Sequence, residues 1–380
     1  MNETYWGNLL SGKPLRILCV RPDNFGDVLM TTPAFRALKE TYPNCHLTLL
    51  TSPVGAAVAG MIPEIDDVIT VDVPWVRSEQ TDHDPANVVT MAEELRQQRF
   101  DAAILFTVQS QNPLPAAMLC YLAGIPRVLG YCRENPYRLI TDWIPDPEVL
   151  VATRHEVNRQ LDLVAAIGCY TNDTHLSLQI PAEAHEKAID LLKETGVSPN
   201  RPWLILHPGV SEEKRRYPAD CYVKAANRLA DIHDYQIILT GSASEWAYVD
   251  GICQQIGPDA FNLAGMMDLA TLAALIAEAP VLIANNTGPV HLAAAIGTPV
   301  VVLYAKTNPQ HTPWQVPGRV LYFDVPEALR SKNVLLQQFP EPAEPVASPE
   351  AIVRAVRELA PQPVNVLSKL VSYANRLLNA

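Results

Sequence analysis

A polar turn followed by a histidine, NNTGPVH, comes directly after a short apolar run late in the chain. Asn286, Thr287 and Gly288 favour a turn. Pro289 suits the first position of a helix, where its missing N–H has no cost. The unpaired N–H groups and the positive dipole of such a helix start favour an anion, typically a phosphate. His291, in the first turn, could donate a further hydrogen bond to that anion. The alternative interpretation is an ordinary helix start that Thr287 caps, with an incidental histidine.

Other polar stretches of the second half lie next to predicted strands and loops: HPGVS with KRRYP, GSASEW and NLAGMMDL. The side chains in them that suit ligand binding are Ser211, Lys214, Arg215, Glu245 and Met267. Cations and backbone N–H groups suit a diphosphate, an acid suits a ribose hydroxyl, and apolar surface suits a base. Each residue also has a structural explanation. The basic run can be a solvated helix start, the acid a first-turn residue favoured by the helix dipole, and the methionine core filler.

In the first half, the stretch RPDNFGDVLMTTP follows the first predicted strand. Gly26 allows a tight turn and the close approach of another molecule. Asp27 then begins a helix that Pro33 kinks or restarts after Thr32. Asp27 can be the N-cap of that helix, or it can be a carboxylate that deprotonates an acceptor hydroxyl. Chemistry alone leaves both interpretations open.

Arginines are frequent in the following part of the first half, in contrast to the acidic chain as a whole. They are Arg127, Arg133, Arg138, Arg154 and Arg159. They can bind an anionic acceptor or form an ordinary solvated surface. The stretch TDHDP resembles a D-x-D metal site, but no predicted strand delivers it, so we interpret it as a loop. No Cys/His cluster has zinc spacing, and we expect no metal and no other cofactor.

Strand-like and helix-like segments alternate along most of the chain. In the first half, strands are predicted at 15–20, 46–51, 67–71 and 102–107, and helices at 32–41 and 86–98. In the second half, strands are predicted at 203–207, 236–240, 260–263, 281–284 and 300–304, and helices at 182–195, 218–232, 244–256 and 269–279. This alternation predicts an α/β fold with two Rossmann-like halves, whose parallel sheets bind ligands beyond the C-terminal strand ends, in a cleft between the halves.

Composition limits the classes of function. The chain has 380 residues and a formal net charge of −12, which argues against a nucleic-acid partner. Its seven cysteines are scattered with no C-x-x-C pair, which indicates reduced and mostly buried thiols. The N-terminus lacks the pattern of a signal peptide, and no apolar run is long enough to span a bilayer. We therefore expect a cytoplasmic protein.

Five stretches, taken together and in this order, resemble glycosyltransferase family 9, the heptosyltransferase-like enzymes of lipopolysaccharide core assembly. They are GDVLMTTPAFRALKETYP, RHEVNRQLDLVAAIG, LHPGVSEEKRRYP, LAGMMDLATLAALI and NNTGPVHLAAAIGTPVVVLY. The resemblance implies a GT-B fold with an acceptor domain at 1–175, a donor domain at 176–338, and a proline-rich linker with C-terminal helices at 339–380. It also implies an ADP-activated sugar donor, a glycolipid or glycan acceptor, and inversion at the anomeric carbon without a metal.

The resemblance also implies a role for each matching residue. Asp27 is the expected general base, and the predicted phosphate contacts are Ser211 and Arg215, with Lys214 as an alternative cation. Glu245 is expected at the ribose or base, and Met267 at the adenine. The remaining donor contacts are Asn286, Thr287, Gly288 and His291, and the acceptor contacts are Arg133, Arg138 and Arg159.

One difference from the family concerns Asn286, where heptosyltransferases usually carry Asp. An amide can bind sugar hydroxyls but brings no charge, so the sugar is left open. A nucleotide-sugar epimerase of GT-B fold and a non-catalytic nucleotide-sugar binding protein are the alternatives. The tail at 364–380 has an apolar stripe at helical spacing. It can pack on the protein or contact the inner face of the membrane.

Overall fold

The computed structural model describes Trp6 and residues 14–76, 84–146, 154–198, 200–305, 309–326 and 347–360. The chain divides into two compact units, Met1–Gln179 and Ile180–Ala380. The boundary predicted from the sequence, between 175 and 176, lies a few residues before this division. The amphipathic tail at 364–380 and most of the proline-rich segment lie outside the described residues.

The N-terminal unit contains one parallel six-stranded sheet with helices between the strands. Its strands are β1 (Arg16–Arg21), β2 (His46–Thr51), β3 (Asp67–Thr70), β4 (Ala102–Leu105), β5 (Val128–Cys132) and β6 (Asp142–Pro145). Its helices are α1 (Phe25–Thr41), α2 (Pro53–Ala59), α3 (Pro85–Gln98), α4 (Leu114–Leu122) and α5 (Glu156–Ala165). The strand order is β3-β2-β1-β4-β5-β6, and all neighbours pair in parallel.

The C-terminal unit repeats this architecture. Its strands are β7 (Trp203–His207), β8 (Gln236–Leu239), β9 (Ala260–Asn262), β10 (Leu282–Asn285), β11 (Val300–Ala305) and β12 (Gly318–Phe323). Its helices are α6 (Ala182–Glu194), α7 (Ala219–His233), α8 (Trp246–Ile256), α9 (Leu269–Glu278), α10 (Gly288–Ile296) and α11 (Pro349–Leu359). The strand order is β12-β11-β10-β7-β8-β9, again with parallel neighbours.

Both sheets have the strand order of a Rossmann fold. The order reverses between β1 and β4 in the N-terminal unit, and between β7 and β10 in the C-terminal unit. Ligands of open parallel sheets bind at such a reversal, beyond the carboxyl ends of the strands. The segment that follows β1 and the segments that follow β7 and β10 therefore occupy the positions where function is expected. The predicted α/β fold with two Rossmann-like halves is confirmed.

Helix α1 differs from its predicted form. It begins at Phe25, two residues before the predicted start at Asp27, and continues through Pro33 to Thr41, so it does not restart after Thr32. A proline inside a helix cannot donate to the carbonyl four residues earlier. Here the Thr32 hydroxyl donates to that carbonyl, of Leu29, at 2.7 Å, which satisfies the acceptor that Pro33 leaves. The early start places Asp27 in the first turn of the helix rather than at its N-cap.

Helix α11 belongs to the core of the C-terminal unit. Ile352 and Val356 are fully buried there, and the helix packs against α7. Arg319 on β12 pairs with Glu358 at 2.9 Å, and Arg228 on α7 pairs with Glu350. The part of the predicted C-terminal segment that the structure describes is therefore a packed helix of this unit.

All seven cysteines are free thiols, and five of them are buried, as the scattered spacing predicted. Within the described parts of the chain, no helix combines the length and the apolar character that crossing a membrane requires.

Candidate active site

Asp27 lies just beyond β1, in the first turn of α1. Its carboxylate is 15% exposed, and Oδ1 lies 3.6 Å from Nη2 of the buried Arg21, the last residue of β1. The N-cap position is taken by Asn24, so the N-cap interpretation of Asp27 was wrong. A carboxylate in the first turn of a helix is favoured by the helix dipole and keeps its negative charge readily. The geometry is compatible with a general base, which remains a prediction.

A second carboxylate, Asp23, lies in the turn between Arg21 and Asp27. Its Oδ2 is 3.2 Å from Nε of Arg21, and its Oδ1 accepts a hydrogen bond from Nε2 of Gln111 at 2.5 Å. Gln111 follows β4, so this bond joins the two segments at the reversal of strand order. Burial raises the pKa of Asp23 to about 6, Arg21 opposes this rise, and the negative charge of Asp27 adds to it.

The three arginines predicted to bind the acceptor differ in their surroundings. Arg133 is half exposed and lies 3.9 Å from Asp146, and Arg138 is exposed in the loop between β5 and β6. Arg159 is buried. Its two terminal nitrogens each donate to Asp146 at 3.0 Å, and Nε donates to the carbonyl of Thr107 at 2.9 Å. We therefore correct the prediction for Arg159 and assign it to the fold, whereas Arg133 and Arg138 remain candidates.

In the C-terminal unit, Asn285 organises the reversal between β7 and β10. Its side chain is fully buried at the end of β10. Nδ2 donates to the carbonyl of Pro208 at 2.8 Å, and Oδ1 accepts from the N–H of Tyr217 at 3.1 Å. The HPG loop after β7 and the end of the basic segment are thus fixed to the strand that leads into α10.

Helix α10 begins at Gly288, directly after this strand. Thr287 occupies the N-cap position but makes no side-chain capping bond, because its hydroxyl is directed to the carbonyl of Asn285 at 3.4 Å. The interpretation of Thr287 as a capping residue was therefore wrong. A helix start that has no side-chain cap presents N–H groups and the positive dipole end to an anion.

His291 and Asn286 flank this helix start. His291 is 4% exposed in the first turns of α10, and its ring centroid lies 6.4 Å from that of His311. Asn286 is 3% exposed, and its side chain hydrogen-bonds the hydroxyl of Tyr304 on β11. Burial raises the pKa of Tyr304, so this hydroxyl is neutral at physiological pH and can serve as a hydrogen-bond donor.

The two predicted cations share one carboxylate partner. Lys214 Nζ lies 2.6 Å from Oε2 of Glu212, and Arg215 Nη2 lies 3.5 Å from Oε1. Both belong to a short 3-10 turn, Glu213–Arg215, that the bond from Tyr217 to Asn285 fixes at its end. Since Lys214 makes the shorter ion pair, its charge is more fully neutralised than that of Arg215.

Both carboxylate oxygens of Glu245 accept hydrogen bonds from neighbouring residues. Oε1 accepts from the N–H of Val210 at 2.9 Å, and Oε2 accepts from the N–H and the hydroxyl of Ser242 at 2.8 and 2.9 Å. Burial alone would raise the pKa of Glu245, but these hydrogen bonds and His207 lower it, so the residue is ionised. Gly209 makes this possible, because a Cβ there would lie 2.5 Å from both carboxylate oxygens.

His207 ends β7 beneath this loop. It is buried, and its Nδ1 forms a 2.9 Å hydrogen bond with the hydroxyl of Thr240. Burial lowers the pKa of His207 to about 4, although Glu245 opposes this effect, so the ring is neutral at physiological pH. The ionised acid of this pair is therefore Glu245, and the histidine supports the loop as a neutral residue.

The remaining donor candidates lie at the surface of the same unit. Ser211 is exposed, and Met267 is half-buried beside the more exposed Met266. Gly265, just before them, has a φ of +74°, and its N–H donates to the carbonyl of Gly241 at 2.9 Å. This bond joins the methionine loop to the loop that carries Glu245. Among the described residues, no group of three or more His, Cys, Asp and Glu side chains is arranged to hold a metal ion.

Two Rossmann-like units in one chain, each with a reversal of strand order, are the architecture of the GT-B fold. The family model for glycosyltransferase family 9 (heptosyltransferase) matches residues 88–334. The chain belongs to this family and is a glycosyltransferase. The matched segment contains all the candidate donor residues, whereas Asp27 precedes it.

Relatives and solved structures agree with this assignment. Lipooligosaccharide heptosyltransferase 2 of Haemophilus influenzae is 26% identical over 313 residues, which cover 79% of this chain and 86% of the relative. The crystal structure of a family 9 glycosyltransferase from Veillonella parvula has a TM-score of 0.73 at 21% identity, covering 92% of this chain and 97% of the other. The E. coli structure described as ADP-heptose lps heptosyltransferase II has a TM-score of 0.69 at 22% identity, covering 92% and 99%.

Proposed function

We propose that this glycosyltransferase transfers a heptose from ADP-heptose to the core of lipopolysaccharide, or to a closely related envelope glycan. The names of the H. influenzae relative and of the E. coli structure support both substrates. The observation that carries the proposal is the start of α10. It has no side-chain cap, and it lies at the reversal of strand order where such sheets bind ligands.

In this proposal, the diphosphate of the donor binds at Thr287, Gly288 and His291, with Arg215 as the main cation. Charge-assisted hydrogen bonds from these groups contribute about 1.5–3 kcal/mol each. Lys214 contributes less, because its short ion pair with Glu212 already neutralises it. The backbone and hydroxyl of Ser211 supply a further phosphate contact.

The nucleoside and the sugar occupy the neighbouring loops. The ionised Glu245 accepts from the ribose hydroxyls with the lone pairs that Val210 and Ser242 leave unused. Met267 packs against the adenine. Asn286, which the hydroxyl of Tyr304 holds in place, binds hydroxyl groups of the sugar as a neutral partner, which distinguishes this pocket from one that contains an aspartate.

The reaction inverts the anomeric carbon in one displacement. Asp27 takes the proton from the acceptor hydroxyl, and the acceptor oxygen forms a bond to the anomeric carbon of the sugar. The bond from that carbon to the phosphate oxygen breaks at the same time, and ADP leaves with the electron pair. The start of α10, His291 and Arg215 stabilise the charge that develops on the departing diphosphate.

The place of action follows from the acceptor. ADP-sugars are nucleotide donors, so we propose that the enzyme acts in the cytoplasm, where a lipid-linked acceptor is met at the inner face of the membrane. Arg133 and Arg138 are the candidate contacts for its anionic groups. The same proposal includes a peripheral membrane contact by the tail at 364–380.

The direct test is a transfer assay that uses ADP-heptose and lipopolysaccharide core molecules with and without their first heptoses, with products analysed by mass spectrometry. We expect a mass increase of one heptose, and slower or no transfer from ADP-hexoses. Transfer of a hexose in preference to heptose would overturn the sugar assignment.

Calorimetry tests the donor site separately. His291→Ala should weaken ADP binding roughly 10- to 150-fold, the equivalent of one charge-assisted hydrogen bond. The matched control is His233→Ala, at the C-terminal end of α7 and therefore at the opposite edge of the same sheet. ADP affinity that is unchanged in both variants would show that the diphosphate binds elsewhere.

A further inference from the structure

A fully buried arginine gathers three carboxylates, one of which is Asp27. Arg21 is 0% exposed at the end of β1. Its Nη2 lies 2.8 Å from Oε1 of Glu156 and 3.6 Å from Oδ1 of Asp27, and its Nε lies 3.2 Å from Oδ2 of Asp23. The same guanidinium nitrogen therefore contacts both Glu156 and Asp27. A shift of Glu156 is transmitted to Asp27 through one rigid planar group.

Glu156 is well placed to fix this arginine. It is the first residue of α5, it is 0% exposed, and it accepts a second hydrogen bond from Nε2 of Gln160 at 2.6 Å. Gln160 in turn donates to the carbonyl of Thr107, after β4. Helices α1 and α5 pack along each other, so the carboxylate of one helix and the Asp27 of the other face a common cation.

The charges in this cluster do not cancel. Three carboxylates surround one guanidinium, and these are the charged groups that act on Arg21 from β1, the following turn, α1 and α5. Asp27 is the most exposed of the three carboxylates, with 15% against 8% for Asp23 and 0% for Glu156. A reacting group must be reachable, whereas a supporting group is best buried. Burial is the main cause of the raised pKa of Asp23, and the negative charges of Asp27 and Glu156 add to it.

We propose that Arg21 and Glu156 form a positioning pair that holds the Asp27 carboxylate in its orientation and sets its basicity. This inference rests on the proposed function of Asp27 as the general base. Arg21 lowers the proton affinity of Asp27 because the guanidinium favours the ionised form. Glu156 raises it through its negative charge while it anchors the arginine.

The two members of the pair therefore have opposite electrostatic effects. An opposite charge within about 4–6 Å changes a carboxylate pKa by about 1–3 units, and a like charge changes it in the other direction. Glu156→Gln keeps the shape and removes one negative charge, so the acidic limb of the rate profile should move down by roughly 1 pH unit. Removing the positive charge of Arg21 should move the limb up.

Arg21→Gln alone leaves three carboxylates without a cation and can prevent folding. The double variant Arg21→Gln/Glu156→Gln removes one charge of each sign and keeps the total unchanged. Comparison of the double variant with Glu156→Gln then isolates the effect of Arg21. The matched control is Glu64→Gln, which removes a buried carboxylate that pairs with Arg36 of the same helix α1 at 3.4 Å and does not contact Asp27.

Two measurements on the full-length chain test the proposal. One is the pH dependence of kcat/KM for transfer, with ADP affinity measured in parallel. The other is a carbon-13 NMR titration of the Asp27 carboxyl in protein labelled at aspartate, which requires no substrate. We expect Glu156→Gln to lower kcat about 10-fold or more, with ADP affinity unchanged, as part of the 10²- to 10⁴-fold effect of a general base. The NMR titration should shift in the same direction as the kinetic limb.

The outcomes separate this inference from the function on which it rests. If Asp27→Asn keeps normal transfer, the base assignment fails, and the positioning role fails with it. If Asp27→Asn is inactive but Glu156→Gln titrates like the wild type and Glu64→Gln, and the double variant titrates like Glu156→Gln, only the positioning pair is overturned. A limb that moves down in Glu156→Gln and moves back up, relative to Glu156→Gln, in the double variant, with Glu64→Gln like the wild type, would establish it.

Discussion

Asp23→Asn should change how the stability of the N-terminal unit depends on pH. Asp23 is 8% exposed, and its pKa is raised from 3.8 to about 6 in the folded protein. The folded state therefore keeps a proton that the unfolded state releases between these values. Stability from this group is fully present below pH 3.8 and is lost as the pH rises through about 6.

The magnitude follows from the size of the pKa difference. A difference of about 2 units, at about 1.36 kcal/mol per unit, corresponds to about 3 kcal/mol. Asn cannot titrate, so the free energy of unfolding of Asp23→Asn, relative to the wild type, should rise by about this amount between about pH 4 and pH 7.5.

Urea unfolding followed by fluorescence, repeated across this range, measures the effect. The difference between variant and wild type cancels the contributions of titrating groups that are distant from Asp23. If the unfolding free energies of the two proteins, plotted against pH, stay parallel over the whole range, the placement of Asp23 as a buried group with excess negative charge around it is refuted.

The C-terminal unit provides three further predictions. The pKa of His207 is lowered from 6.5 to about 4, so the wild type should lose about 3 kcal/mol of its unfolding free energy as the pH falls through this window, whereas His207→Asn should not. Urea unfolding measures this difference, and the same pH dependence in variant and wild type would contradict the burial of the neutral ring. Gly209→Ala should displace Glu245, since the new Cβ would lie 2.5 Å from its oxygens. ADP affinity measured by calorimetry should then fall at least about 10-fold, and a normal affinity would exclude a ribose contact for Glu245. Arg215→Ala should weaken ADP binding roughly 10-fold or more, whereas Lys214→Ala should do less; the reverse order, measured by the same titration, would assign the phosphate contact to the lysine.

The sequence predicted those parts of the fold that have strong local patterns. The strands β2 and β7 were predicted with their observed bounds, because β7 is a nearly continuous apolar run and β2 combines leucine with β-branched threonine, both typical of strands. The strands β5 and β6 and the helix α4 were not predicted. β6 is a short edge strand that ends in Pro145, and α4 is apolar on all sides, so neither has the periodicity that identifies an element.

The continuity of α1 through Pro33 was left open for a different reason. Pro33 was interpreted as a kink or a restart of the helix, whereas the Thr32 hydroxyl compensates for its missing N–H. A bond of this kind is a side-chain contact that periodicity does not report. The chain forms one helix of 17 residues without a restart after Thr32, and Asp27 is a first-turn residue rather than the residue that begins the helix.

Within the candidate site, short-range motifs were predictable and long-range partners were not. The turn at Thr287 and the acid at Glu245 follow from local sequence, because their neighbours in the chain define them. The pairing of Arg21 with Glu156 joins residues 135 positions apart, and the bonds of Asn285 to the HPG loop join residues 77 positions apart. Such contacts are set by tertiary packing. The burial of Arg159 could not be read from its charge for the same reason.

The most direct test of the account compares Asp27→Asn with the wild type in single-turnover transfer from ADP-heptose, with the ADP affinity of both proteins measured by calorimetry. The central claim is that the C-terminal unit binds the donor and that Asp27 supplies the base for its chemistry. The variant should therefore transfer about 10²- to 10⁴-fold more slowly while ADP affinity changes by less than about 2-fold. Near-normal transfer by Asp27→Asn would contradict the account, because the acceptor hydroxyl would then be deprotonated by another group.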